Sequence, residues 1–222
     1  MPEVLTEQNG KALLAATYFG PVQWYQKLNR FGQCLVEQYE HFVKQTYRNR
    51  CVIATANGAQ TLSVPIESTG GKDGKVLMRD VRISDHGNWR HLHWNALLSA
   101  YGESPFFEFY ADDIRPFFEK KWTFLLDFDM EITETLCNLL DVRPDIGLTG
   151  SFTPIKKQGE EDAGLLPLAD FRETIRPKHP LADSAFQPRA YYQVYARKHG
   201  FLPNMSVLDL LFNMGNEAIF YL

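Results

Sequence analysis

The hydrophobic period of this chain changes once, near Asn88, and that change constrains the fold more than any other feature. Before it, apolar residues run in short blocks or alternate in twos, the spacing that sends successive side chains to opposite faces of a strand. After it they recur at about 3.6 residues, the spacing of an amphipathic helix. The pattern predicts an α/β fold with a strand-rich N-terminal half, a mixed sheet with a hairpin, followed by a largely helical C-terminal half. At 222 residues one core is the expectation, so residues 1–222 read as a single domain.

Local punctuation divides the chain further. Ala12 to Phe19 reads as a strand closed by Gly20-Pro21, and Trp24, Leu28 and Phe31 follow at helical spacing. Cys34 to Tyr39 reads as a second strand. Val52 to Ala56 and Leu62 to Ile66 flank Asn57-Gly58, a hairpin turn whose two residues both tolerate positive φ. A glycine-rich loop, Gly70 to Gly74, leads to another expected strand over Val76 to Ile83. In the helical half, Asn88, Ser104-Pro105 and Asp129 are expected helix starts, and Pro116 kinks or splits the second helix. Lys156 to Gln187 is charged, proline-rich and aperiodic, which predicts an irregular loop or lid. Ser206 to Asp209 is a capping-box variant before a last helix that stops at Gly215.

Composition narrows the function classes. A hydrophobic content of 45%, with 14% aromatic, excludes wholesale disorder, and a net charge of -4 argues against general nucleic-acid binding. The three cysteines form no CxxC pair, so a reducing compartment is expected rather than a disulfide framework. Met1 to Gly10 is polar, unlike a secretory signal, and no apolar run approaches the roughly 20 residues that span a bilayer. The expected setting is the cytoplasm, without membrane insertion. The chain has no GxSxG elbow, Walker A lysine motif, GxGxxG loop or HExxH pair, so no cofactor is evident.

Two segments concentrate groups suited to chemistry. Lys44-Gln45-Thr46-Tyr47-Arg48-Asn49-Arg50 sets three cations and several hydrogen-bonding side chains before an apolar strand, with no adjacent acid. Arg forks grip phosphate or carboxylate at two points, and Gln45 or Asn49 can read a neutral group beside it. If the segment is extended, Arg48 and Arg50 share one face and Tyr47 and Asn49 the other. A solvated charge run on an edge strand fits the same residues.

The second segment, Asp85 to Trp94, holds three of the six histidines. His91 and His93 lie about 200° apart on a helix, which disfavours a shared metal. His93 falls in the apolar arc with Trp89, Ala96, Leu97 and Ala100, Arg90 lies at its margin, and His91 faces the polar side. His86, Arg90 and His93 can then surround a phosphate or carboxylate at the helix start, with His86 or His93 moving a proton. Trp89 and Trp94 can stack a ring, although helical spacing equally makes them core, and His93 equally a structural histidine. Glu37 and Glu40, beside His41 at the end of the second strand, are weaker candidates at the position where open α/β sheets bind ligands.

These residues, taken in order, resemble the WbqC-like protein family over most of the chain. The resemblance rests on Tyr18-Phe19-Gly20-Pro21 with Tyr25-Gln26-Lys27-Leu28, on Lys44 to Arg50, on Ile83-Ser84-Asp85-His86 before Trp89-Arg90, on Tyr101 with Ser104-Pro105-Phe106-Phe107, and on Phe201 to Asn213. It implies an association with bacterial surface-polysaccharide gene clusters and a small acyl or aminoacyl transfer to an amino sugar nucleotide. The chain departs from the fuller pattern at Thr17 to Pro21, where a histidine of many relatives is missing. It also departs between Gly150 and Gln187, where the family's middle segment is longer. The expected partner is a phosphorylated or nucleotide-linked small molecule. The competing class is a non-catalytic binding or interaction protein of the same pathway, and metal-dependent chemistry ranks third.

Overall fold

Residues Lys11–Ala15 form β1, the centre of a parallel sheet in a computed structural model that describes residues 10–67, 75–155 and 168–222. The neighbours of β1 are β2 (Gln33–Glu37) and β6 (Leu168–Asp170), and β5 (Ile146–Leu148) extends the sheet beyond β2, giving the order β5-β2-β1-β6. Every pairing is parallel, with Ala12 opposite Cys34 and Ala169, and Cys34 opposite Ile146. A parallel strand covered on both faces needs a continuous apolar run, and Ala12, Leu13 and Leu14 are fully buried. The strand ends at Ala15, sooner than its apolar run suggests, because the chain bends there and Phe19 takes φ 42°.

Helix α1 (Val22–Arg30) follows Pro21 and buries Trp24, Tyr25 and Leu28. β3 (Arg50–Thr55) and β4 (Gly58–Ser63) pair antiparallel as a sheet of their own rather than joining the parallel one. Their turn is one residue earlier than Asn57-Gly58: Thr55 pairs with Gly58, so Ala56 and Asn57 are its centre and only Gly58 has positive φ. The strand expected over Val76 to Ile83 is absent. The segment makes a 3-10 turn at Met78–Asp80 and only isolated bridges, His41 with Leu77, Ile66 with Ile83 and Arg82 with Phe124, because its neighbours are single residues rather than an open strand edge.

The helical half begins with α2 (Trp89–Tyr101), followed by α3 (Phe107–Ile114), α4 (Pro116–Glu119) and α5 (Leu125–Leu139). Pro116 separates α3 from α4 as expected, since it cannot donate the missing amide bond. Asn88 stands at the start of α2 but takes φ 49° and makes no capping bond. Ser104-Pro105 sits in the turn before α3, whose cap position is Phe106. Asp129 is not a cap: α5 starts a turn earlier, because Leu125, Leu126 and Phe128 already bury against the core, and Asp129 lies inside the helix.

The short helix α6 (Ala196–His199) precedes α7 (Val207–Met214), where Ser206 caps by accepting from the Leu208 amide and Gly215, at φ 55°, ends the helix. The Asp209 carboxylate does not return to close a capping box; it accepts instead from Tyr191 and Gln193. The Gly70 to Gly74 loop lies outside the described residues, as do 156–167 of the expected irregular segment. Within the rest of that segment Leu168–Asp170 is a strand, because the open edge of β1 supplies its hydrogen-bonding partner, and the chain from Phe171 to Gln187 carries neither helix nor strand. Among the described residues no helix is long and apolar enough to cross a membrane.

Candidate functional site

In a parallel sheet all strands end on one edge, and here that edge gathers a cluster of charged side chains, most of them buried. Glu37 is the last residue of β2, Thr149 follows β5, Asp170 ends β6, and Thr17 lies just past β1. The sheet order turns at β1, whose first neighbour precedes and whose second follows helices α2 to α5, and α/β sheets bind ligands at the carboxyl edge of such a switch point.

Glu37 is fully buried and well satisfied. Its Oε1 accepts from the Tyr39 amide (2.8 Å) and Thr149 Oγ1 (2.9 Å), and its Oε2 from the Thr153 amide (2.8 Å). Glu40 accepts from Arg48 Nε (2.8 Å) and Nη2 (2.5 Å), both on Oε1. Arg172 grips Asp170 through Nε (3.0 Å) and Nη2 (2.6 Å), while its Nη1 stands 3.9 Å from both Glu37 Oε2 and Glu40 Oε2 and has no hydrogen-bond partner. Burial pushes the Glu40 carboxyl above the ordinary carboxylate range, outweighing the Arg48 and Arg172 charges. Burial opposes the charge of Arg172, yet Asp170 and the two glutamates hold its pKa above the ordinary value. Three carboxylates against two guanidiniums leave the cluster with one negative charge in excess.

A second buried pair adjoins it. Lys27, fully buried on α1, binds Asp183 Oδ2 at 2.8 Å and lies 4.6 Å above the ring of Phe171, the residue between Asp170 and Arg172. Thr17 Oγ1, at the end of β1, is buried without a partner.

The Lys44 to Arg50 segment is not extended. Tyr47–Asn49 form a 3-10 turn, which turns the two guanidiniums to different surroundings and puts an acid, Glu40, against Arg48. Lys44 and Gln45 are exposed, and Gln45 accepts from Lys178. Tyr47 is half-buried and its phenol is pushed up to about 12 by burial. Asn49 donates to the Val64 carbonyl, a bond that holds the hairpin, and Arg50 opens β3. Arg48 alone of this set joins the carboxyl-edge cluster.

The Asp85 to Trp94 residues also separate. His86 is exposed on a 3-10 turn, His86–Asn88. Arg90 binds Asp85 Oδ1 (2.6 Å) and the Lys120 carbonyl (3.0 Å) and lies over the Trp89 ring. Trp89 is core, edge-on to His93, and donates to the Ser84 carbonyl. His93 faces inward as its wheel position predicts, 6% exposed, with Nδ1 2.8 Å from the Tyr18 hydroxyl. Burial pulls its pKa down to about 4, and its remaining ring nitrogen meets the Ser63 backbone, so the neutral ring accepts from Tyr18. The two sequence segments meet through Tyr18, whose amide donates to the Tyr47 carbonyl and whose hydroxyl meets His93, rather than across a cleft.

Arg172, Asp170 and Thr149 escaped sequence reasoning. The available signal was positional: Glu37 and Glu40 end one apolar run, and Asp170-Phe171-Arg172 end another. Among the described residues no group of three or more His, Cys, Asp or Glu is arranged to hold a metal ion.

Comparison with known proteins agrees with the sequence motifs. The model of the WbqC-like protein family matches residues 16–221. The chain is 28% identical over 197 residues to the uncharacterised protein Rv1507c of Mycobacterium tuberculosis, covering 82% of this chain and 83% of that one. No solved structure matches at a significant level.

Proposed function

The chain belongs to the WbqC-like protein family, and we propose that it is an enzyme of bacterial surface-polysaccharide or amino-sugar metabolism that transfers a small acyl or aminoacyl group to the amine of an amino sugar. The observation that carries this reading is the buried cluster of Glu37, Glu40, Arg48, Asp170 and Arg172 at the carboxyl edge of the parallel strands. Its excess of carboxylate favours an amine over a phosphate, because the arginines are already neutralised. Glu40 is the group for proton transfer: Oε1 is committed to Arg48, Oε2 is not, and burial moves the carboxyl in the direction that suits a base working near neutrality.

In the proposed step the acceptor nitrogen attacks the acyl carbon of an activated donor, a thioester or acyl phosphate. A new C–N bond forms, the bond to the donor's leaving group breaks, and Glu40 takes the nitrogen's proton. Arg172 Nη1, without a hydrogen-bond partner, would bind an oxygen of the acceptor. We place proton transfer on Glu40 rather than on His86 or His93, since His93 has both ring nitrogens engaged and stays neutral.

The test incubates the purified chain with a nucleotide-linked amino sugar and acyl thioester or aminoacyl donors, reading the product by its mass gain. The wild type is expected to form the amide, and Glu40→Gln, which keeps an oxygen for Arg48, to form none while remaining folded. Amide formation by Glu40→Gln at the wild-type rate, or no acceptor bound by the folded wild type, would overturn the assignment.

A further inference from the structure

Away from the buried cluster, a cleft of about 400 Å³ opens between the start of α2 and the α3–α4 junction. Small-molecule sites occupy roughly 300–1,000 Å³, so the space suits a ligand larger than a single ion. Its charged lining comprises Arg90, Arg115 and Lys121 against Asp85 and Glu119, one positive charge in excess. Asp85 binds both Arg90 (2.6 Å) and Lys121 (2.9 Å), and Glu119 binds Arg115 (2.6 Å). Two of these three cations are open to water, Arg115 with 56% and Lys121 with 81% of the side chain exposed, while Arg90 is 14% exposed. Exposed pairs such as Arg115–Glu119 and Lys121–Asp85 contribute little, so a multiply charged anion can take the place of the carboxylates at Arg115 and Lys121 without a large cost.

An aromatic wall stands beside these charges. Trp94 lines the cleft half-buried, backed by Phe107 (6.1 Å between centroids) and Phe118 (5.9 Å), which hold its ring in place. The Arg115 guanidinium lies 6.0 Å from the Trp94 ring centroid. A fixed indole beside a guanidinium offers a flat ligand a stacking surface within reach of an anion-binding fork. Helix geometry brings His91 to the same cleft, on the polar side of α2 where the wheel placed it.

We propose that this cleft binds a phosphorylated planar ring, of the chemical class of the nucleoside phosphates, with the ring against Trp94 and the phosphate at Arg90, Arg115 and Lys121. The site is independent of the transfer reaction proposed above, because it shares no lining residue with the Glu40 cluster.

Calorimetric titration of the full chain with AMP, UMP, inorganic phosphate and the two nucleosides tests it. A nucleotide is expected to bind at least about tenfold more tightly than phosphate or nucleoside alone. The double variant Arg115→Ala/Lys121→Ala, altering two exposed side chains, is expected to weaken nucleotide binding by roughly tenfold or more, while Glu40→Gln titrates like the wild type. Absence of nucleotide binding, phosphate binding as tightly as nucleotide, or an unchanged double variant would each defeat the proposal. Loss of nucleotide binding in Glu40→Gln would move the site to the buried cluster and defeat it too. Failed amide formation with nucleotide binding intact would count against the transferase reading alone.

Discussion

Arg48 and Glu40 form a buried two-point pair in which guanidinium Nε and Nη2 both reach carboxylate Oε1, at 2.8 and 2.5 Å. The pair joins the turn before β3 to the end of β2, and so ties the hairpin to the carboxyl edge of the parallel sheet. Arg48→Ala leaves Glu40 buried beside a cavity, and a cost of about 3–5 kcal/mol is expected in urea unfolding. Glu40→Gln retains an acceptor for Arg48 and is expected to cost only about 1–2 kcal/mol. Equal losses for the two variants would mean that the charge, rather than the hydrogen bonds, carries the interaction.

The pH dependence of stability divides into opposing slopes. His93 has a folded pKa near 4, below its ordinary value, so the stability it contributes is complete above the ordinary histidine range and is lost as pH falls towards 4. Asp209 runs the other way. Burial raises its carboxyl to about 6 despite bonds from Tyr191 and Gln193, so its contribution is complete below the ordinary carboxyl range and is lost as pH rises towards 6. Asp129, 1% exposed with neither carboxylate oxygen partnered, is raised by burial in the same direction, so its contribution is likewise lost as pH rises. Asp129→Asn is therefore expected to stabilise the fold at neutral pH and to gain little in acid, as measured by urea midpoints across pH. In NMR titration the His93 ring should change charge near 4. A His93 midpoint in the ordinary histidine range, or Asp129→Asn acting most strongly in acid, would contradict these assignments.

Gly215 is needed for two reasons at once. Its φ of 55° with ψ of -131°, where the chain leaves α7, is backbone that glycine adopts readily and other residues do not, and a Cβ there would come within 2.7 Å of the Phe106 ring. Gly215→Ala is expected to destabilise by about 1–3 kcal/mol, read as a lowered thermal midpoint. Loss of the Phe106 ring should relieve part of the cost, so Phe106→Ala/Gly215→Ala is expected to lose less than the sum of its single changes. Strict additivity would show that backbone strain alone is responsible.

Much of the fold was legible because its signals are local. Pro116 split a helix, Gly215 ended one, and the spacing of Trp24 and Leu28 located α1. Misplacements arose where a tertiary contact overrode a local preference. Asp129 looks like a cap by residue type, but the apolar residues ahead of it drew the helix start back to Leu125. Leu168–Asp170 is too short to show a period and is a strand because β1 offers it an edge. In the candidate site, Glu37 and Glu40 were visible as acids ending a strand, whereas the three-residue strands that deliver Thr149 and Asp170 left no pattern to read.

The sequence by itself determined the α/β class, the hairpin, the helical half and the inward face of His93, because periodicity and turn chemistry act over a few residues. Tertiary structure alone decided that Arg48 meets Glu40 instead of open solvent, that Arg90 lies at a separate cleft, and that Thr149 reaches Glu37 across 112 residues. The physical reason is the parallel sheet. It brings strand ends that are distant in the chain to one edge, where Arg48 pairs with Glu40 and Arg172 with Asp170, and neither the register nor the partner is encoded in any local stretch.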